Sequence, residues 1–371
     1  MRMRTLIYSI GIVCALITAC GPVVTQAPAG GALAPSLTCD SNSTGAQFVA
    51  AKVYKLSAGF NPKLGLAPTS AEILGNVATG DPYYQVLTDA FSAAPPFFKD
   101  NLCGLTQVFI VQNNCTGSCT PADLINNSWG LRAYQTTDAP KYIATSQQLL
   151  LLALSLGDFE TQRLMYMLNE FVSTGAAVWT HHPTYLASLP TSSDPFAFTV
   201  LAAFAHEYGH VLWYDTFVSQ PGGNIDHLAT FCQGKNKYNS FYPPGHWDKI
   251  SLSNNRWITF GQKHDKYHID HFTPLQDALE TGGLTGRFYP KADKELQKAL
   301  MDNAVVDLLS IFSSNEDFVT AYELYVLKEA QLSALKVQMY DDSGTIDPNY
   351  GVNILGKLGS GTDLYEKVKC F

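Results

Sequence analysis

Basic residues are scarce in this chain. Lys and Arg number 24 against 32 Asp and Glu, which leaves a formal net charge of −8 and no cluster of cations along the sequence. Nucleic acids are held through basic patches, so no nucleic-acid partner is expected. No long apolar run follows residue 19. A spanning helix needs about 20 apolar residues, so the body is expected to be soluble. No Cys-x-x-Cys pair occurs, and the usual spacing of a cysteine-ligated zinc site is absent with it. No internal repeat is present, which excludes a repeat architecture.

What is there begins with an export segment. Residues 1–4 are Met-Arg-Met-Arg, a short basic region, and Thr5 to Ala19 is apolar but too short for a comfortable span. The run Leu16-Ile17-Thr18-Ala19-Cys20 resembles a bacterial lipobox. The resemblance implies a signal peptide at 1–19 and Cys20 as the lipidated first residue. It further implies a lipid-anchored protein of the cell envelope, facing outside the cytoplasm. An ordinary signal peptide cleaved near Ala19 is the alternative. Residues 20–45 are rich in Pro, Gly, Ala, Ser and Thr and read as a flexible tether. The hydrophobic share of 46% lets residues 46–371 bury a large core in one elaborate domain. Cys39, Cys103, Cys115, Cys119, Cys232 and Cys370 form an even set that suggests disulfides outside the cytoplasm. Six cysteines allow fifteen pairings, and spacing does not choose among them, although a small loop could close Cys115 onto Cys119.

Along the body, Asn61-Pro62, Ala67-Pro68, Asp81-Pro82 and Pro95-Pro96 mark turns. Leu105–Gln112 alternates like a strand. Two more strands, 129–134 and 141–145, flank a Thr-Thr-Asp-Ala-Pro turn. Helical spacing runs over 147–156, 160–172, 292–312 and 315–340. Residues 219–290 hold Gly222-Gly223, Pro243-Pro244, Gly282-Gly283 and many aromatics, which predicts a loop-rich insertion.

The richest stretch lies at 196–214. It is almost wholly apolar apart from His206-Glu207-Tyr208-Gly209-His210, and Ser193-Asp194-Pro195 before it offers a cap and a proline near the first helical position. The pattern predicts a buried helix. Residues i and i+4 share a helix face, so both imidazoles can reach one ion. Glu207 lies about 100° round the helix, placed to touch a water at that ion without ligating it. The competing reading is a chance pair of core histidines. It leaves the carboxylate of Glu207 unexplained, because burying a lone charge is expensive.

A third ligand has several candidates: Asp215, Glu316, and the histidines at 227, 246, 264, 268 and 271. After His210 the chain lacks the H-x-x-G-x-x-H/D arrangement of metzincins, and Asp215 at helical spacing faces away from His210. Glu316 opens a helical stretch, Glu316-Asp317-Phe318-Val319-Thr320-Ala321-Tyr322. HExxH followed by a glutamate on a later helix resembles the gluzincin plan. The run Glu316-x-Phe318-x-x-x-Tyr322 resembles the third-ligand helix of lethal-factor-like peptidases. The resemblance covers these two short segments, and the chain between them is much longer here. It implies an α+β, zincin-like fold, mainly helical, with a small sheet beside the motif helix. It also implies one zinc on His206, His210 and Glu316, with Glu207 as general base. Two positions depart from the pattern. Leu309 stands where lethal-factor-like enzymes have a tyrosine, and Thr320 where thermolysin-like enzymes have an aspartate that orients a histidine. Capping is the alternative role for Glu316, because Ser313-x-x-Glu316 fits a capping box.

The cluster His264 to His271 is expected to be a solvated loop, with Tyr267, His268 and His271 as candidate oxyanion donors. Lys141–Ser146 is the candidate edge strand for an extended substrate. The expected activity is zinc-dependent hydrolysis of a peptide or protein. A zinc hydrolase for another amide would use the same residues. The alternative class is a membrane-anchored binding or adhesion lipoprotein with a structural or decayed zinc site. Intact Glu207 argues against decay, since a structural site needs no base. Cys20→Ser is expected to release the protein from membranes into the soluble fraction. Unchanged membrane retention after normal processing would refute the lipid anchor.

Overall fold

The computed structural model describes residues 38–58, 68–112, 129–132, 141–171, 184–191, 193–215, 250–251, 256–257, 314–340, 344–359, 363–368 and 371. The expected signal peptide and tether up to residue 37 lie outside these residues. So do the expected helix at 292–312, Leu309, Tyr267, the histidines at 227, 246, 264, 268 and 271, and the cysteines at 115, 119, 232 and 370. No described helix is long and apolar enough to cross a membrane.

The described chain is mixed helix and sheet, an α+β arrangement. Thr44 and Gln47 form a capping box that starts α1 (Gly45–Lys52). β1 (Val53–Leu56) and β2 (Ile73–Asn76) follow, then α2 (Tyr84–Ala93), α3 (Pro96–Gly104) and β3 (Gln107–Val111). A disulfide between Cys39 and Cys103, Cα atoms 5.2 Å apart, ties the segment before α1 to the end of α3. β4 (Trp129–Arg132) pairs antiparallel with β5 (Lys141–Ser146), the hairpin that the turn signal predicts. β1, β3 and β5 run parallel, and the sheet order is β2-β1-β3-β5-β4. Lys141–Ser146 is therefore an interior strand, not the expected edge; among the described residues the edges are β2 and, next to β5, β4. Its burial agrees: five of its six residues are buried, as a strand flanked on both sides requires.

Helices then alternate with a second sheet. α4 (Gln147–Leu151) is shorter than the expected 147–156, because Ala153 takes φ 49° and interrupts it. Ser155 caps the next helix, α5 (Leu156–Phe171), accepting from Asp158 N at 3.2 Å. β6 (Thr184–Ser188) leads into α6 (Pro195–Trp213), the motif helix. Asp194 Oδ1 accepts from Phe196 N at 2.9 Å, and Pro195 occupies the first turn. Every residue from Ala197 to Ala205 is buried. β7 (Ile250–Ser251) and β8 (Arg256–Trp257) form a two-residue ladder inside the expected insertion.

α7 (Ser314–Glu329) ends eleven residues before the expected 340, and β9 (Ala334–Tyr340) follows directly. The stop is a Schellman cap without glycine. Gln331 sits at φ 67°, its N–H donates to Lys328 O at 2.9 Å, and Leu332 N donates to Leu327 O at 3.0 Å. Beyond it Leu335 and Val337 are buried while Lys336 is exposed, a period of two. β10 (Ile346–Asn353) and α8 (Asp363–Val368) complete the described elements.

The second sheet, order β10-β9-β6, sets the relation of the two long helices. β6 precedes α6, β9 follows α7, and the strands pair from Thr184↔Gln338 to Ser188↔Ala334. The start of α6 is thus held near the end of α7, and the helices run antiparallel. α6 packs along α7, with α2, β4 and β5 around it. Gly209 permits the approach. A Cβ there would stand 3.1 Å from both Cα and Cγ1 of Val319. Overpacking costs about 1–3 kcal/mol, against about 1 kcal/mol of helix propensity that alanine gains over glycine. Gly209→Ala is therefore expected to lower the urea-unfolding midpoint. A higher midpoint would show that the helices have room to separate.

Candidate metal centre

The antiparallel register brings three side chains together. His206 and His210 project from one face of α6, ring centroids 5.1 Å apart and planes at 80°. Glu316 comes from the first turn of α7. His206 Nε2 lies 3.5 Å from Glu316 Oε2, and His210 Nε2 lies 3.8 Å from Glu316 Oε1. One ligand atom from each residue falls within 4.8 Å of the others. Donors on a tetrahedral ion at about 2.0–2.2 Å stand about 3.3–3.6 Å apart, so small side-chain rotations close the remaining gap. Two imidazoles and a carboxylate are also a donor set that zinc accepts. The residues present fit a zinc ion.

The site is partly open. The side chains of His206, His210 and Glu316 are 15%, 18% and 19% exposed, so none of the three is sealed from solvent. Glu207, one position round the helix, is buried at 7%. It is not one of the converging donors. Asp215 is not either. It lies two residues past α6, in an ion pair with Lys141 of β5 that ties the segment after the helix to the central sheet. Ser313 lies outside the described residues, so the capping box has no description here. Glu316 itself is turned to the two histidines.

Sequence reasoning missed the ring of groups behind His206. Glu323 Oε2 lies 3.1 Å from His206 Nδ1 and accepts from Arg163 Nη1 at 2.7 Å. Arg163 Nη2 donates to Thr320 Oγ1 at 3.2 Å, and Glu160 Oε1 stands 3.6 Å from Arg163 Nη1. Glu160, Arg163, Thr320 and Glu323 are all buried. One signal for Glu323 was available: it stands seven residues after Glu316, two turns on the same helix face. Arg163 comes from α5, with no local sequence mark.

These contacts reshape the proton affinities of the side chains alone. Burial and the Arg163 charge press on His206 in the downward direction. Hydrogen bonds to Glu316 and Glu323 and the Glu316 charge outweigh them and raise its pKa from 6.5 to about 10. Burial acts upward on Glu316, but His210, His206 and Arg163 prevail and bring it from 4.5 to about 2. Glu323 is likewise held below its ordinary range: burial opposes this, and Arg163 and His206 overcome it.

Compared with known proteins, the chain matches no protein-family model, no curated protein and no solved structure.

The pKa directions set a pH dependence for protein stripped of metal. His206, raised on folding, stabilises the fold fully below pH 6.5 and loses that contribution as pH climbs through about 10. Glu316, lowered on folding, stabilises fully above pH 4.5 and loses it as pH falls through about 2. Both contributions are complete only between pH 4.5 and 6.5. The unfolding midpoint of chelated wild type, taken relative to His206→Ala, is expected to peak in that window. A difference that stays flat from pH 6.5 to pH 10 would contradict the ion pairs.

Proposed function

We propose that this chain is a zinc-dependent metallopeptidase on the gluzincin plan, tethered to a membrane of the cell envelope through a lipid on Cys20. The observation that carries the reading is the convergence of His206, His210 and Glu316 from two antiparallel helices, with Glu207 buried beside them. A chance HExxH would bring no third ligand to the same face. Glu316, the glutamate that the resemblance to lethal-factor-like peptidases selects, is the residue that arrives.

The roles follow from chemistry. When bound, zinc supplies Lewis acidity, polarising a carbonyl and making a water acidic near neutral pH. His206 and His210 offer neutral nitrogen, and Glu316 offers one negative charge to the cation. Glu207 takes the proton of the attacking water and delivers it to the leaving amine. The substrate strand is reassigned from Lys141–Ser146 to β4, which runs beside α6 and bonds only to β5 among the described residues. An extended peptide adds there as a further strand, its backbone supplying affinity. Tyr267, His268 and His271 remain the candidates for oxyanion donor.

Glu207→Gln tests this directly. The amide leaves the three ligands intact but cannot accept a proton, and general-base catalysis is worth roughly 100- to 10,000-fold. Cleavage of a broad peptide mixture is expected to fall by that factor at unchanged zinc content. His206→Ala is expected to lose zinc and cleavage together. Equal, chelator-insensitive cleavage by wild type and Glu207→Gln would overturn the mechanism. Zinc retention without cleavage by the wild type would favour a binding lipoprotein with a structural ion.

A further inference from the structure

The groups behind His206 form one buried network around Arg163. One buried guanidinium faces two buried carboxylates, Glu160 at 3.6 Å and Glu323 at 2.7 Å. The two carboxyl groups also hydrogen-bond one another, which places one proton between them, so together they present a single negative charge to Arg163. Glu323 is the more deeply buried of the two, with its side chain 1% exposed, so its polar oxygens must find partners inside the protein. Besides Arg163 and Glu160, it meets the His206 ring, Oε2 to Nδ1 at 3.1 Å.

That contact fixes a tautomer. An ionised carboxylate accepts hydrogen bonds and cannot donate. Nδ1 of His206 must therefore carry the proton, and in the neutral ring Nε2 then holds the lone pair. Nε2 is the atom that lies 3.5 Å from Glu316 Oε2, on the ligand side. Arg163 steadies the arrangement by reaching two points one turn apart on α7, Thr320 Oγ1 and Glu323 Oε2. α7 thus brings one ligand, Glu316, and two turns later a group that aims another.

We infer that Glu323, held in place by Arg163 of α5, is a positioning residue that keeps His206 in the Nδ1–H form with Nε2 directed at the ion. This rests on the metal site proposed above. Removing partners of this kind typically weakens metal binding about 10- to 100-fold.

The test compares the zinc dissociation constants of full-length wild type, Glu323→Gln and Glu160→Gln by competition with a chromophoric chelator. Glu323→Gln keeps a hydrogen-bonding side chain between Arg163 and Glu160, so it should fold; thermal melts of the chelated proteins check this. It is expected to bind zinc about 10- to 100-fold more weakly. Glu160→Gln leaves the Arg163–Glu323–His206 contacts in place and is expected to stay close to wild type. Wild-type affinity in a folded Glu323→Gln would overturn the inference while leaving the metal site standing. Should that variant not fold, long-range proton–nitrogen correlation spectra of zinc-loaded wild type decide. Protonated Nδ1 and ligating Nε2 on His206 are expected, and ligation through Nδ1 would overturn the assignment. Absence of zinc binding by wild type would overturn the metal reading itself.

Discussion

The closeness of two buried helices, α6 and α7, governs this molecule. Their antiparallel contact runs from His206 beside Glu323, past Gly209 against Val319, to His210 beside Glu316. The absence of a side chain at Gly209 sets the separation at its centre. Were the helices an ångström or two further apart, the Glu316 carboxylate would fall short of both imidazoles. The cap at Asp194, the Schellman turn at Gln331 and the β6–β9 ladder all hold the ends of that contact. The ladder matters most for register, because slipping it by one residue would reverse every side chain on the strand.

An apolar helix pair of this kind would be more easily built without charges. Here Glu160, Arg163, Glu207 and Glu323 are all buried around the histidines. Buried ions seldom add stability over well-packed apolar residues of the same volume, even when paired. They are better understood through what they do to the ligands. Two carboxylates flank His206, one toward the proposed ion and one behind it. Their combined pull explains why its proton affinity rises although burial and Arg163 oppose it. A cation at the three donors would take over the role that the extra proton plays for the side chains alone.

Much of the site could be read in one dimension. HExxH on an apolar segment with Asp194-Pro195 ahead of it led to the right helix within a residue or two, because spacing, capping and burial are all local properties. Glu316 was selected by its place at the head of a helix and by the aromatics after it. The observed strands at 107–111, 129–132 and 141–146 overlap the expected ones at 105–112, 129–134 and 141–145, the first read from its alternation and the other two from the turn signal between them. Errors arose where a local rule had an uncommon solution. α7 stops at a left-handed Gln331 where glycine would have marked the end, so helical spacing seemed to continue to 340. Ala153 breaks α4 in the same way. Lys141–Ser146 was taken for an edge because nothing in a strand's own residues says which neighbours it has.

The sequence by itself determined the motif helix and its chemistry: which helix carries the two imidazoles, where its cap lies, and that Glu316 stands near a later helix start. These depend on contacts within a few residues, which composition and spacing encode. Only the tertiary structure decided that β4 and not β5 is the edge, that Cys39 meets Cys103, and that Glu323 and Arg163 stand behind His206. The disulfide and the Arg163–Glu323 pair join residues 64 and 160 positions apart, and a chain carries no local mark of a partner at that distance. They are set when apolar faces that cannot be left in water find one mutual packing, and the polar groups caught inside must then satisfy one another.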